Sequence, residues 1–169
     1  MQQLGFGACL ADDMGLGKTV QVLAFLEKMR KSKKDAKCLL IVPASLIGNW
    51  QKETEKFAPA MDYRILHGKT SAKLEVELQE EESFLTITTY GMAARVEGMQ
   101  KIEWDCIILD EAQAIKNPLT NQTKAIKKQR TKMKIAMTGT PIENDLSNLW
   151  SLFDFLNKGL LGTSKEFKE

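Results

Sequence analysis

Lys18 and Thr19, preceded by Gly15 and Gly17 in the stretch ADDMGLGKT (11–19), have the types and spacing of a phosphate-binding turn. Such a turn works because successive backbone N–H groups point inward and a following helix adds its positive end. Gly15 and Gly17 permit the positive-φ and close-approach backbone this requires. Lys18 has the reach for β- and γ-phosphates, and the Thr19 hydroxyl is a magnesium ligand. The strict pattern G-x-x-x-x-G-K-[ST] asks for glycine at position 12, where this chain has Asp12. Asp12, Asp13, Met14, Gly15, Leu16, Gly17, Lys18 and Thr19 therefore form a candidate nucleotide loop that departs from the pattern at its opening. The same text also fits a glycine-rich turn before an ordinary helix, with Lys18 solvated.

A second pair of residues bears on that choice. Asp110 and Glu111 end the apolar run CIILDE (106–111). A phosphate loop needs an acid to hold magnesium, directly or through water, and hydrolysis needs a group that orients the attacking water. Asp110 suits the first role and Glu111 the second, if their strand lies beside the strand that feeds the loop. Two acids after a strand are commonly just solvated. Together with the loop, and in this chain order, they point to hydrolysis of a magnesium-bound nucleotide, with Lys18, Asp110 and Glu111 as the catalytic set.

These groups need elements to hold them. ACLA (8–11) is a short apolar run entering the loop, and Val22, Phe25, Leu26 and Met29 fall on one helical face after it. KCLLIV (37–42), YRIL (63–66), FLTITT (84–89), CIILDE (106–111) and KIAMTGT (134–140) read as strands. Between them lie helical patterns at Ile47, Trp50, Thr54 and Phe57 and across the Glu-rich 71–82. Leu146, Leu149, Trp150 and Phe153 mark a last amphipathic helix, capped by Asn144. Near-continuous apolar strands alternating with helices predict an α/β domain with a mostly parallel, buried sheet flanked by helices on both faces. In such sheets ligands bind beyond the carboxyl ends of the strands. The loop, Pro43, Ala44 and Ser45, Thr88 and Thr89, the two acids, and Thr138, Gly139 and Thr140 all fall there.

Composition bounds the rest. The 169 residues suit one domain, and 24 basic against 22 acidic residues leave a net charge of +2, so nucleic-acid binding would need a local basic face. Cys9, Cys38 and Cys106 are scattered in apolar runs, which fits buried thiols in a reducing, cytoplasmic setting better than disulfides or zinc. No targeting segment and no apolar run of membrane-spanning length is present, so no membrane partner is expected. The run KAIKKQRTKMK (124–134) reads as a solvated helix face, Trp50 and Trp150 as core residues, and His67 carries no role.

Five segments then resemble one family. LADDMGLGKTVQ, LLIVPASLIGNWQKE, ITTYG, ILDEAQAIKNP and MTGTPIENDLSNLWSLFDFLNKGLLG occur in the order seen in Swi/Snf-type ATPases, DNA translocases of helicase superfamily two. The resemblance runs over 5–162, and the family commonly opens its phosphate loop with aspartate, as Asp12 does here. It implies a RecA-like P-loop lobe using ATP and magnesium, with Thr19 and Asp110 at the metal. Asp110, Glu111, Ala112 and Gln113 match the family's DEx[HQ] motif, making this a DEAQ variant. Gln113 can hydrogen-bond but cannot carry the proton of the commoner histidine. With Thr138, Gly139 and Thr140, Gln113 would couple nucleotide state to a DNA site. Pro43, Ala44, Ser45, Thr88, Thr89, Lys116 and Asn117 resemble segments that face the backbone of double-stranded DNA. The residue-level alternatives are a helix N-cap for Ser45, strand propensity for Thr88 and Thr89, and a solvated turn for Lys116 and Asn117.

The family completes its ATP site with a second RecA-like lobe, whose arginines stabilise the transferring phosphate, and with an adenine-recognising glutamine upstream of the loop. Neither is expected within 1–169, so the chain is expected to be one lobe of a larger motor, truncated at both ends and nearly inactive alone. The rivals are a non-catalytic nucleotide-binding or docking module and a small P-loop kinase or GTPase. Against the GTPase stands the lack of an Asn-Lys-x-Asp segment; Asn157-Lys158-Gly159-Leu160 lacks its aspartate.

Overall fold

The computed structural model describes residues 7–11, 16–80, 82–115 and 119–138, with side chains described throughout except at 7–11, 16–18, 113, 114 and 138. The strands are β1 (Gly7–Ala11), β2 (Cys38–Val42), β3 (Tyr63–Leu66), β4 (Leu85–Thr89), β5 (Glu103–Trp104), β6 (Cys106–Leu109), β7 (Arg130–Thr131) and β8 (Lys134–Thr138). The helices are α1 (Leu16–Ser32), α2 (Ile47–Phe57), α3 (Ser71–Glu80), α4 (Tyr90–Arg95) and α5 (Asn121–Lys127). Six strands form one sheet in the order β1-β8-β6-β2-β4-β3, and every pair in it is parallel. A separate short parallel pair joins β5 to β7. The helices lie on both faces, as expected for an α/β RecA-like domain.

The strand sequences explain this layering. Side chains alternate faces along a strand, and β2 is buried along its whole length. Cys38, Leu40 and Val42 join Cys106, Ile108, Ile135 and Met137 in one core layer, against Val22, Leu23 and Leu26 of α1 and Ile47 and Trp50 of α2. Leu39 and Ile41 face the other way, with Ile107, Leu109 and Ala136, against α3, α4 and α5. A strand apolar on both faces must lie inside the sheet, since an edge position would leave its backbone donors and acceptors partly unpaired.

Three expectations about the elements change. The Glu-rich helix stops at Glu80. Phe57, expected on the buried face of α2, is 45% exposed, because it is the helix's last residue and has run past the sheet. The cationic run 124–134 is no single helix face: α5 ends at Lys127, and the rest forms a turn, β7 and the start of β8. Its apolar Ile126 is fully buried while Lys124, Lys128, Arg130 and Lys132 face solvent. Asn144, Leu146, Leu149, Trp150 and Phe153 lie outside the described residues. No helix among the described residues is long and apolar enough to cross a membrane.

Candidate nucleotide and magnesium site

The parallel register brings the expected site to one rim. Ala11 pairs with Thr138, Leu109 with Ala136, Ile41 with Leu109, and Val42 with Thr89. The carboxyl ends of β1, β8, β6, β2 and β4 are therefore level along one rim of the sheet. The expectation that β6 lies directly beside β1 is corrected, since β8 sits between them. Ile135 and Met137 bury one face of β8 and Ala136 the other, so it takes an interior place. At about 4.8 Å per strand the carboxyl ends of β1 and β6 are then roughly 10 Å apart along the rim. A phosphate and a cation with its ligands span that gap.

Leu16, Gly17, Lys18 and Thr19 form the first turn of α1, which carries no acid. A helix start of this kind keeps its positive end for an anion. The Thr19 side chain is buried, at 8% exposure. Asp12, Asp13, Met14 and Gly15 lie outside the described residues, as do the side chains of Leu16, Gly17 and Lys18.

Asp110 is the most constrained acid on the rim. It follows β6 directly, and its N–H donates to the Ile41 carbonyl at 2.9 Å, extending the β6–β2 ladder by one residue. The residue is 8% exposed. Oδ1 accepts the Glu111 N–H at 2.9 Å, and Oδ2 accepts the Trp50 indole N–H at 2.7 Å. Its carbonyl accepts the Tyr90 hydroxyl at 2.6 Å. Glu111 has φ of +52°, the left-handed region that a residue with a Cβ adopts at a cost. The same Tyr90 hydroxyl lies 3.4 Å from the Glu111 carbonyl. Burial first, then the charges of Asp110 and Glu111, push the Tyr90 phenol well above its ordinary range, so it stays a donor.

Trp50 and Tyr90 are the residues that sequence reasoning missed. Trp50 packs in the core as expected, 1% exposed, but its indole N–H is also committed to Asp110. Tyr90 begins α4, immediately after β4. The available signal was chemical: a buried tryptophan or tyrosine needs a partner for its polar edge. Nothing in periodicity names that partner.

The remaining candidates fall as follows. Pro43 precedes the 3-10 turn Ala44–Leu46, where Ala44 and Ser45 are exposed. Leu46, without a side-chain cap, precedes α2, so Ser45 is not its N-cap. Thr88 is fully buried and its hydroxyl donates to the Leu66 carbonyl at 2.9 Å. Thr89 is 6% exposed and accepts the Met92 N–H at 3.1 Å, capping α4. Both hydroxyls are thus engaged inside the protein. Gln113 lies in the 3-10 turn Ala112–Ile115, anchored by fully buried Ala112 and Ile115. Thr138 ends β8, while Gly139, Thr140, Lys116 and Asn117 lie outside the described residues, as do Trp150 and the side chain of Cys9.

Fold and rim together define a RecA-like nucleotide-binding lobe. The sequence profile of the SNF2-related domain matches residues 1–169, and the chain belongs to that family. It is 43% identical to the "Putative ATP-dependent helicase/translocase YwqA" of Bacillus subtilis (strain 168), over 99% of this chain and 18% of that protein. It is 42% identical to the "DNA excision repair protein ERCC-6-like" of Danio rerio, over 96% of this chain and 12% of that protein. The Sulfolobus solfataricus SWI2/SNF2 ATPase core in complex with dsDNA superposes with a TM-score of 0.87 at 44% identity, covering 97% of this chain and 34% of that one. The chain thus spans less than a fifth of these curated relatives.

The residues present fit magnesium-bound ATP. Magnesium is commonly held by one or two carboxylates together with substrate phosphates and water. A single fixed carboxylate opposite a buried hydroxyl suits that pattern. No group of three or more histidine, cysteine, aspartate or glutamate side chains gathers among the described residues.

Proposed function

We propose that this chain is the ATP-binding lobe of a Swi/Snf-type motor that couples ATP hydrolysis to translocation along double-stranded DNA. One observation carries the reading: the start of α1 and the fixed Asp110 carboxylate share one rim of a parallel sheet, two strands apart. In this reading the loop 12–19 binds the phosphates, with Lys18 reaching the β- and γ-positions. Thr19 and Asp110 hold magnesium, and Glu111 orients the water. Bound magnesium would neutralise the charge on the phosphates and on the leaving oxygen. Gln113, Thr138, Gly139 and Thr140 carry the nucleotide's state toward the DNA side.

The exposed turn at Pro43, Ala44 and Ser45 contacts the DNA backbone, as do Lys116 and Asn117. Such contacts hold register without reading sequence. Thr88 and Thr89 act through the placement of α4 rather than through their own hydroxyls. The working partner is a second RecA-like lobe, whose arginine would contribute roughly 10³- to 10⁵-fold in rate. The buried thiols of Cys38 and Cys106 support a reducing, cytoplasmic setting.

Titration with a non-hydrolysable ATP analogue and magnesium tests the nucleotide assignment, with Lys18→Ala as control. Undiminished binding by that variant would end it. Duplex and single-stranded DNA added next should show a salt-dependent preference for the duplex. DNA-stimulated hydrolysis by this chain alone, at the rate of a complete motor, would refute the need for a second lobe.

A further inference from the structure

Asp110 is gripped from both faces of the sheet. Trp50, on α2, belongs to the core layer shared with α1, and Tyr90, on α4, belongs to the opposite layer. Trp50 meets the carboxylate at 2.7 Å and Tyr90 the backbone carbonyl at 2.6 Å. The two bonds do different things. Indole is a donor only, so it fixes the direction of one carboxylate oxygen without taking its charge. The tyrosine hydroxyl lies against two successive carbonyls and so opposes relaxation of the left-handed Glu111 backbone. Each bond satisfies a buried polar edge, and both partners chosen lie on one residue, Asp110. A polar commitment by two buried aromatics to one acid is what orienting that acid for a cation requires.

The elements supplying these rings add a second feature. α2 follows directly on the exposed turn at 44–46, and Tyr90 follows directly on Thr89 at the end of β4. Displacement of either segment moves a ring whose polar atom is bonded to Asp110.

We propose that Trp50 and Tyr90 are positioning residues for the metal-site acids, forming a two-sided clasp through which the segments at 43–46 and 88–90 act on Asp110 and Glu111. The proposal rests on the nucleotide assignment made above. The probe is magnesium with a non-hydrolysable ATP analogue, applied to the full chain as wild type, Trp50→Phe and Tyr90→Phe. Each substitution removes a polar edge and retains an aromatic ring. Trp50→Phe should raise the magnesium concentration for half-maximal nucleotide binding by roughly tenfold, and Tyr90→Phe by about threefold. Affinity for the nucleotide in EDTA, and the melting temperature, control for simple loosening. A raised magnesium requirement with affinity in EDTA unchanged supports the clasp; equal weakening with and without magnesium overturns it.

A measurement without nucleotide separates this inference from the functional reading. In the ¹H–¹⁵N spectrum, the indole resonance absent from Trp50→Phe is that of Trp50. It should be protected from solvent exchange in the wild type, and it should shift and exchange faster in Asp110→Ala. An indole signal indifferent to Asp110→Ala overturns the clasp even if the chain binds ATP. Absence of any nucleotide binding by the wild type, with the indole coupling intact, overturns instead the nucleotide assignment and the metal role of the clasp with it.

Discussion

Two aspartates flank β6, and they are held in opposite ways. Asp105, at its amino end, accepts the Lys33 ammonium at 2.6 Å and the Lys37 N–H at 2.8 Å, with Lys132 at 3.8 Å. Asp110, at its carboxyl end, accepts an indole N–H and a backbone N–H. Both acids are largely covered, with 12% exposure at the side chain of Asp105 and 8% over Asp110 as a whole. Lysines cancel a charge and fasten the end of α1, the start of β2 and the turn before β8 into one knot. The indole and backbone N–H donors on Asp110 fix its carboxylate's direction, which is what the proposed metal role asks of it. One residue type is thus held by ammonium groups at one end of a strand and by indole and backbone N–H groups at the other, where chemistry is proposed.

The comparison breaks most visibly under crossed substitution. Asp110→Ala should weaken magnesium-dependent nucleotide binding by roughly 100-fold, and should also destabilise by about 1–3 kcal/mol because the Trp50 indole and the Glu111 N–H lose their acceptor. Asp105→Ala should destabilise to a similar degree, about 1–3 kcal/mol, because the Lys37 N–H loses its acceptor, but should leave nucleotide affinity within about twofold. Calorimetric titration and thermal melts on the same two preparations decide it; a parallel loss of affinity would erase the distinction. Trp50→Ala should instead fail on both counts, since an emptied tryptophan site costs about 3–5 kcal/mol and removes the donor to Asp110.

Acidification sharpens the contrast further. Burial pushes the Asp105 carboxyl up, but the Lys33 hydrogen bond, the Lys37 N–H and the charges of Lys33 and Lys132 outweigh it and hold it below its ordinary 3.8. A lowered value in the folded state stabilises the protein above the ordinary value, and this is lost as pH falls through the folded one. Stability should therefore decline below about pH 4, and Asp105→Asn should flatten that decline in denaturant melts taken across the range. The smallest effect is expected from Lys132→Ala, within about 0.5 kcal/mol, because at 3.8 Å and 60% side-chain exposure it adds little beyond Lys33.

The thiols on β2 and β6 give a quieter version of the same lesson. Cys38 and Cys106 are register partners on adjacent strands. Burial raises both, with the Cys106 thiol pushed up to about 12, so they behave as small apolar core residues and should resist alkylation in the folded chain.

Much was legible before any coordinates. The apolar runs at 37–42, 84–89 and 106–109 are buried on both faces, so composition alone announces interior strands, and parallel pairing follows from the helices between them. The phosphate loop and the two acids are short local codes whose residue types admit few other uses in that order. The family likeness rested on the same local text. Less visible was strand order: β8, last of the described strands in sequence, inserts between β1 and β6, and no local pattern ranks one apolar strand against another for that slot.

Position along the chain also misassigned Phe57 and the basic run 124–134, because periodicity continues past the point where a helix meets the sheet's edge. Local residue types and their spacing were enough to nominate the groups for chemistry and to mark which strands are buried. Only the tertiary structure decided that Trp50 and Tyr90, 40 positions apart and on opposite faces of the sheet, converge on Asp110. The reason is physical: a side chain's type states what bond it needs, while its partner is chosen by the packing of distant elements.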